Sequence, residues 1–300
     1  MEFPSLQLRS KTTFLSLVLL VVIVAFIATR VNWTDAGQAL SKADLTLVAV
    51  AAVIELVSLG LKTVRWKILL SDIKANVPLS ALFKIQLAGT AISNATPARL
   101  GEPVKVLYLE KYGLKKRFTL LTVLWERIFD LAAIVLFAIA ALTGDNNIIM
   151  LLSGLVILAV ILTYNLAKIA KYFAKLPWLA FLSDIGLHKF KKRTLLASFA
   201  VTAASWILDL GAVWLAFSAV GINLPYLQVS SAYAASLLVG ILSTIPGGLG
   251  SLEATSYILL QKAVPSTALL AAALITARIV TLGVVFAAGG VAIAMLRSEK

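Results

Sequence analysis

The sequence predicts an all-α polytopic membrane protein with about six full spans plus two re-entrant helical hairpins in an inverted-topology repeat, the alternative being eight spans. Three observations carry that expectation. With 60% hydrophobic and 14% charged residues, the chain is too apolar for a water-soluble globule, so the bilayer is its solvent. Six apolar runs are long enough to cross ~30 Å of hydrocarbon as helices. Two further apolar stretches are short or marginal, and one of them ends in Pro246-Gly247-Gly248. Broken backbone of that kind is tolerated at membrane depth only where protein or a cavity surrounds it.

In chain order the long runs fall at 14–30, 45–64, 120–142, 148–164, 195–217 and 268–296, and the short stretches at 83–95 and 229–245. Residues 1–300 therefore read as a single transmembrane domain. The first run is too long for a signal-peptide core and is expected to stay as an anchor. Orientation follows from the retention of Lys and Arg on the cytoplasmic side. Arg9 and Lys11 precede the first run, and the connection 31–44 is close to neutral. Arg65, Lys67, Lys74 and Lys84 fall in one basic connection, and Lys105, Lys111, Lys115, Lys116 and Arg117 in another; both are assigned to the inside. Asp145 marks an outer loop, while Lys168, Lys171, Lys175, Lys189, Lys191, Lys192 and Arg193 are inner, as are Arg297 and Lys300. The signs alternate without violation if both short stretches re-enter from the side they left. The expected location is the cell membrane, multi-pass, with both termini cytoplasmic.

That bookkeeping exposes two inverted units, 45–142 and 195–296. Pro97-Ala98-Arg99-Leu100-Gly101 in the first echoes Pro246-Gly247-Gly248-Leu249-Gly250 in the second. Each is followed shortly by a glutamate, Glu102 or Glu253, and later by an arginine, Arg127 or Arg278. Inverted repeats with broken helices are an architecture of alternating-access transport. Between the units, 165–193 reads as a basic amphipathic linker lying in the inner interface. Gly283 and Ala287 offer a small-residue surface for helix packing within or between chains, so a homo-oligomer is one partner reading.

Ionisable groups inside spans each need an explanation, because insertion costs about 2.5–3.5 kcal/mol apiece. The candidates are Glu55, Glu126, Arg127, Asp130, Asp209, Glu253 and Arg278. Glu126, Arg127 and Asp130 lie on adjoining faces of one helix, where an Arg127–Asp130 ion pair is the structural reading and bidentate phosphate binding by Arg127 the functional one. At the second break the glycines permit positive φ, Ser251 can cap the following helix, and its free N–H groups suit an anionic head group. Glu253 there has the plainer role of complementing the helix dipole. Arg99 and Glu102 flank the first break. Asn32-Trp33-Thr34 and Asn94-Ala95-Thr96 fit a glycosylation pattern and are given no role.

Other classes find little support. The net charge of +13 is spread beside apolar runs, which fits an anionic lipid surface better than nucleic acid. There is no cysteine and a single histidine, His188, so no thiolate chemistry or histidine metal cluster is expected. No phosphate-binding G-x-x-x-x-G-K-[ST] loop occurs, and no zinc motif or nucleophile elbow; no cofactor and no catalytic residue are expected.

The runs Ala95-Thr96-Pro97-Ala98-Arg99-Leu100-Gly101-Glu102-Pro103, Trp125-Glu126-Arg127-Ile128-Phe129-Asp130 and Ile245-Pro246-Gly247-Gly248-Leu249-Gly250-Ser251-Leu252-Glu253 together resemble the lysylphosphatidylglycerol synthetase transmembrane region, or flippase-like domain family. The resemblance extends from about residue 14 to 296. It implies movement of lipid between leaflets. Some family members join this region to a cytosolic aminoacyl-transfer domain, which this chain is expected to lack, so a separate lipid-modifying enzyme is an implied partner and aminoacyl transfer is not expected. The leading expectation is a flippase for an anionic phospholipid or polyprenyl-phosphate-linked lipid. Arg99, Arg127 and Arg278 would bind phosphate, with Glu102, Glu126, Asp130, Asp209 and Glu253 pairing with them or carrying a proton beside the Pro246, Gly247, Gly248 and Gly250 break. The rivals are a membrane-embedded lipid-modifying enzyme using its carboxylates as acid or base and a secondary transporter of a small solute.

Overall fold

A computed structural model describes residues 32–96, 101, 102, 104–143, 154 and 190–298. The run 14–30, the run 148–164 except Gly154, the linker 165–193 except its last four residues, and residues 97–100, Arg99 among them, lie outside the described residues.

Every described element is helical. Helix α1 (Trp33–Ser41) is capped by Asn32, whose side chain accepts from the Thr34 and Asp35 amides. Helix α2 (Leu45–Asp72) is capped by Asp44, which accepts from the Thr46 amide at 2.8 Å. Helices α3 (Leu79–Ala95), α4 (Val104–Leu109) and α5 (Lys116–Thr143) complete the first half. The second half holds α6 (Lys192–Ala219), α7 (Tyr226–Leu242), α8 (Ser251–Leu260), α9 (Thr267–Arg278) and α10 (Val284–Ser298), with a π-helical turn, Ile279–Gly283, joining the last two.

Among the described residues three helical stretches are long and apolar enough to cross a membrane: Leu45–Asp72, Lys192–Ala219 and Thr267–Ser298. Helix α5 is 28 residues long like α2 and α6, but it carries Glu126, Arg127 and Asp130 in its middle. On α2, Leu45, Val50, Val53, Leu56, Val57 and Val64 are exposed, an apolar surface that bilayer tails would cover.

One boundary corrects the sequence reading. Helix α2 does not stop at residue 64 but runs on to Asp72, so Arg65 is no loop residue; Lys105, in α4, is likewise inside the fold, and both side chains are fully buried. A hydropathy reading ends a span at its first cation. Here Glu55, Ser58, Leu59, Arg65, Trp66 and Leu69 form a buried stripe at helical spacing, and the polar members of that stripe face protein.

The two halves repeat the same plan. Helices α3 and α7 are each 17 residues long and each follows a proline, Pro78 or Pro225. Helices α2 and α6 pack along one another. The Ser58 hydroxyl donates to the Ser205 carbonyl at 3.0 Å and Lys62 Nζ to Asp209 at 2.5 Å, and both pairs are 147 residues apart. The helix starts Leu45 and Lys192 share that offset, so α2 and α6 cross at equivalent residues, which is the mark of a local pseudo-two-fold axis. The short helices are exchanged: α3 packs on α10 and α7 packs on α5.

Both breaks are seated by glycine. A Cβ on Gly101 would stand 2.8 Å from the Ile92–Ser93 backbone, and one on Gly248 would stand 3.0 Å from Gly240 Cα. Ser93 and Gly240 are related by the same offset. The α3–α10 contact rests on Gly289, where a Cβ would stand 2.4 Å from Ala91 Cβ. Gly283 and Ala287, the expected small-residue pair, are exposed. Gly283 belongs to the π turn, whose extra residue rotates the later face of the helix away from simple i, i+4 counting.

Candidate functional site

Helices α2, α3, α5, α6 and α7 and the π turn surround an open cavity of about 770 Å³, its mouth included. Of the predicted residues, Glu102, Arg127, Asp130, Asp209 and Arg278 line it, and so do Glu55 and Lys62. Glu126, Glu253, Pro246, Gly247, Gly248 and Gly250 do not; they stand behind it or at its edge.

The charges of the first half form a closed ring. Arg65 meets Glu126 at 2.9 Å, Glu126 meets Lys105 at 3.5 Å, and Lys105 meets Glu102 at 2.6 Å. Glu102 then meets Arg127 at 3.1 Å, Arg127 meets Asp130 at 2.8 Å, and Asp130 returns to Arg65 at 2.6 Å. Cations and carboxylates alternate, so each carboxylate lies between two cations. Neutral partners complete the shell: Gln86 accepts from Lys105 Nζ at 2.9 Å, Thr202 accepts from Arg65 at 3.2 Å, and Trp206 Nε1 donates to Asp130 at 3.1 Å. Such satisfaction offsets the desolvation cost of burying these charges. One member differs from the others. The Arg127 side chain is 30% exposed, the rest 7% or less; its Nε, like that of Arg65, is buried without a hydrogen-bond acceptor. Both of its carboxylates keep a second cation, Lys105 for Glu102 and Arg65 for Asp130.

The expected Arg127–Asp130 pair is therefore present, but as one edge of the ring. Local geometry explains the rest. Glu126 and Asp130 are four residues apart on α5 and face α2 together, and the two Nη atoms of Arg65 reach one each. Gly89 leaves space for Lys105, since a Cβ there would meet the lysine Cγ at 2.5 Å.

At the second break Gly247, Gly248 and Gly250 have φ of 63°, 62° and 80°, a left-handed backbone that glycine adopts without strain. Helix α8 is capped at Gly250, not at Ser251. The tight turn starts the helix one residue after Gly250, so the Ser251 hydroxyl sits within its first turn and points back, donating to the Gly248 carbonyl at 3.1 Å. Glu253 accepts from the Gly250 amide at 2.7 Å, the expected first-turn role, and also pairs with Arg278 through its other oxygen. Arg278 donates further to the Gly248 carbonyl at 3.3 Å. The Glu253–Arg278 pair spans 25 residues, as does Glu102–Arg127. The two breaks also meet: the Asn94 carbonyl at the end of α3 approaches the Cβ position of Gly247 at 3.6 Å.

On the pseudo-axis, Lys62 Nζ lies 2.5 Å from Asp209 and 5.4 Å above the Trp206 ring. Sequence reasoning had not assigned Lys62, Arg65 or Lys105 to the site. The available signal was charge balance, because Glu102, Glu126 and Asp130 outnumber Arg127 and buried carboxylates require partners. Among the described residues no group of His, Asp and Glu is placed to hold a metal ion.

Residues 13–289 match the family model of the lysylphosphatidylglycerol synthase TM region. The chain belongs to that family. It is similar to a UPF0104 membrane protein of Methanothermobacter thermautotrophicus, at 26% identity covering 92% of this chain and 94% of the relative. A UPF0104 membrane protein of Pyrococcus horikoshii is 26% identical over 71% of this chain and 76% of its own. Another from Methanocaldococcus jannaschii is 22% identical, covering 81% and 82%. Membership agrees with the apolar helices: this is a membrane protein of a lipid-related family.

Proposed function

We propose that the protein moves a lipid with a phosphate-bearing head group, an anionic phospholipid or a polyprenyl-phosphate-linked lipid, between the leaflets of the cell membrane. The observation that carries this reading is the matched pair of Glu–Arg units, one in each half, whose arginines line a single cavity. Arginine suits phosphate because its planar fork donates to two oxygens at once. A site made jointly by two similar halves is what alternating access requires, since rocking one half against the other exposes it to each side in turn. In this reading the halves run oppositely through the bilayer, α3 and α7 are arms of re-entrant hairpins, and both termini are cytoplasmic. The carboxylates hold the arginines between substrate loads or carry a coupling proton. The chain performs no covalent chemistry; a separate enzyme modifies the lipid, and exposed Gly283 and Ala287 leave a surface for a second copy.

The test is transport of fluorescent phospholipid in proteoliposomes, run beside thermal melting of the same preparations. Arg127→Gln and Arg278→Gln should each abolish movement and keep a cooperative melt. Full transport by both variants would overturn the site. A new lipid species appearing in mass spectra would transfer the case to an enzyme.

A further inference from the structure

The charges of the cavity do not suit a purely anionic head group. Among the ionisable groups that line it, carboxylates outnumber cations four to three. A phosphate alone would deepen that imbalance, whereas a phosphate joined to a cation would leave it unchanged. The part of the wall built by α2 and α6 also has the composition of an ammonium site. Asp209 is more than nine-tenths buried and faces the cavity; its Oδ2 accepts from Lys62, while its Oδ1 is buried with no hydrogen-bond partner. The Trp206 ring lies beside it and presents a face to a cation; indole is the best of the aromatic faces for that contact. Glu55 adds a second carboxylate to the same wall.

Lys62 shows what this wall accepts. Its ammonium sits 2.5 Å from Asp209 and 5.4 Å from the Trp206 centroid, on a flexible four-carbon stem that can swing away. A primary ammonium from another molecule would find the same three features: the Asp209 carboxylate, an aromatic face and a second negative charge. We propose that the head group this cavity takes is zwitterionic, a phosphate and a primary ammonium on one short linker, with the phosphate on Arg127 and Arg278 and the ammonium on Asp209 in place of Lys62. Lys62 is then the internal stand-in that pairs with Asp209 when no lipid is bound. The inference rests on the lipid-translocation reading, keeps its phosphate and replaces the anionic head group by a zwitterionic one.

The test uses the full chain in two arms. In the binding arm, the purified protein is equilibrated with vesicles containing phosphatidylethanolamine, phosphatidylcholine, phosphatidylglycerol and phosphatidic acid in equal parts, and retained lipid is read by native mass spectrometry. Phosphatidylethanolamine should be retained over phosphatidylglycerol by roughly tenfold, the effect of one charge-assisted hydrogen bond. Phosphatidylcholine should rank below it, because a quaternary nitrogen has no N–H to donate. Asp209→Asn should erase the preference, and Lys62→Gln, which vacates the wall but keeps its carboxylates, should raise retention of phosphatidylethanolamine. Equal or preferential retention of the anionic lipids by the unaltered protein overturns the proposal, as does a Lys62→Gln variant that folds and shows no change in head-group preference. In the transport arm the same four lipids are followed in proteoliposomes. Movement of none of them refutes translocation, while the binding arm still decides the ammonium site.

Discussion

Replacing Arg65 by methionine separates what the charge ring does for folding from what the cavity does for a ligand. The guanidinium is fully buried and bridges Glu126 at 2.9 Å and Asp130 at 2.6 Å. Without it, three carboxylates share Lys105 and Arg127, and two of those carboxylates each lose one of their two cations. Breaking a buried ion pair from one side costs about 3–5 kcal/mol, chiefly through the charge left behind. At about 2–4 °C per kcal/mol for a chain of this order of size, the melting temperature should fall by roughly 10 °C. Arg127→Gln should be far milder. That side chain is 30% exposed, its carboxylates keep Lys105 and Arg65, and loss of a part-exposed charged hydrogen bond costs about 1.5 kcal/mol. The assay is thermal unfolding in one detergent, with Arg65→Met/Glu126→Gln as the charge-compensated control, which should recover part of the loss. An Arg65→Met protein that melts within a degree or two of the parent would refute the ring as a structural element. So would a double variant that melts lower than the two single losses combined.

Other expectations follow from the same geometry. Gly248→Ala forces a side chain onto a φ of 62° and places its Cβ 3.0 Å from Gly240 Cα; it should cost about 1–3 kcal/mol, read as a lower melting temperature. Gly289→Leu should separate α3 from α10, since even a Cβ there would stand 2.4 Å from Ala91, and the loss will show as reduced folded yield. Because the chain contains no cysteine, single cysteines report topology cleanly: one at Asn223 should label from outside and one at Lys192 only from inside, and labelling of position 192 from outside would sink the inverted arrangement. The purified protein should leave ATP unhydrolysed and the mass of supplied lipid unchanged, as followed by phosphate release and lipid mass spectrometry.

Much of the fold was legible because hydropathy reports what meets lipid. The long helices, the broken second element and the Glu–Arg echo all stand out in the sequence, and the glycines of the second break do take positive φ. What hydropathy cannot report is a charge whose partner lies far away in the chain. Arg65 is 61 residues from Glu126, and in sequence it looks like the basic flank of a span. Lys105 looks like the first of a series of loop lysines, although Gly89 leaves space for its stem. Charge pairs four apart on a helix are visible to a reader of sequence; pairs made by packing two helices are visible only as an excess of one sign. The π turn at Ile279–Gly283 left no sequence signal, because one extra residue in a helical turn does not change hydropathy.

The two halves supply an internal comparison that bears on which charges serve the cavity. By register, the position equivalent to Arg65 in α6 is Ala212, fully buried. Counting from Glu253 and Arg278, the counterparts of Lys105, Glu126 and Asp130 are Ser256, Ala277 and Thr281. Ser256 is fully buried with no hydrogen-bond partner for its hydroxyl. The ring is therefore confined to the first half, and the second half folds on the same plan without it. A feature that the plan itself required would be found in both. The Glu–Arg pair is found in both, at the same 25-residue spacing, although each copy carries the desolvation cost of a largely buried ion pair. Each pair also places its arginine on the cavity wall. The ring accounts for how the first half tolerates so many buried charges; the duplicated pair, which the second half keeps after dispensing with the ring, is what supports assigning the arginines to the ligand.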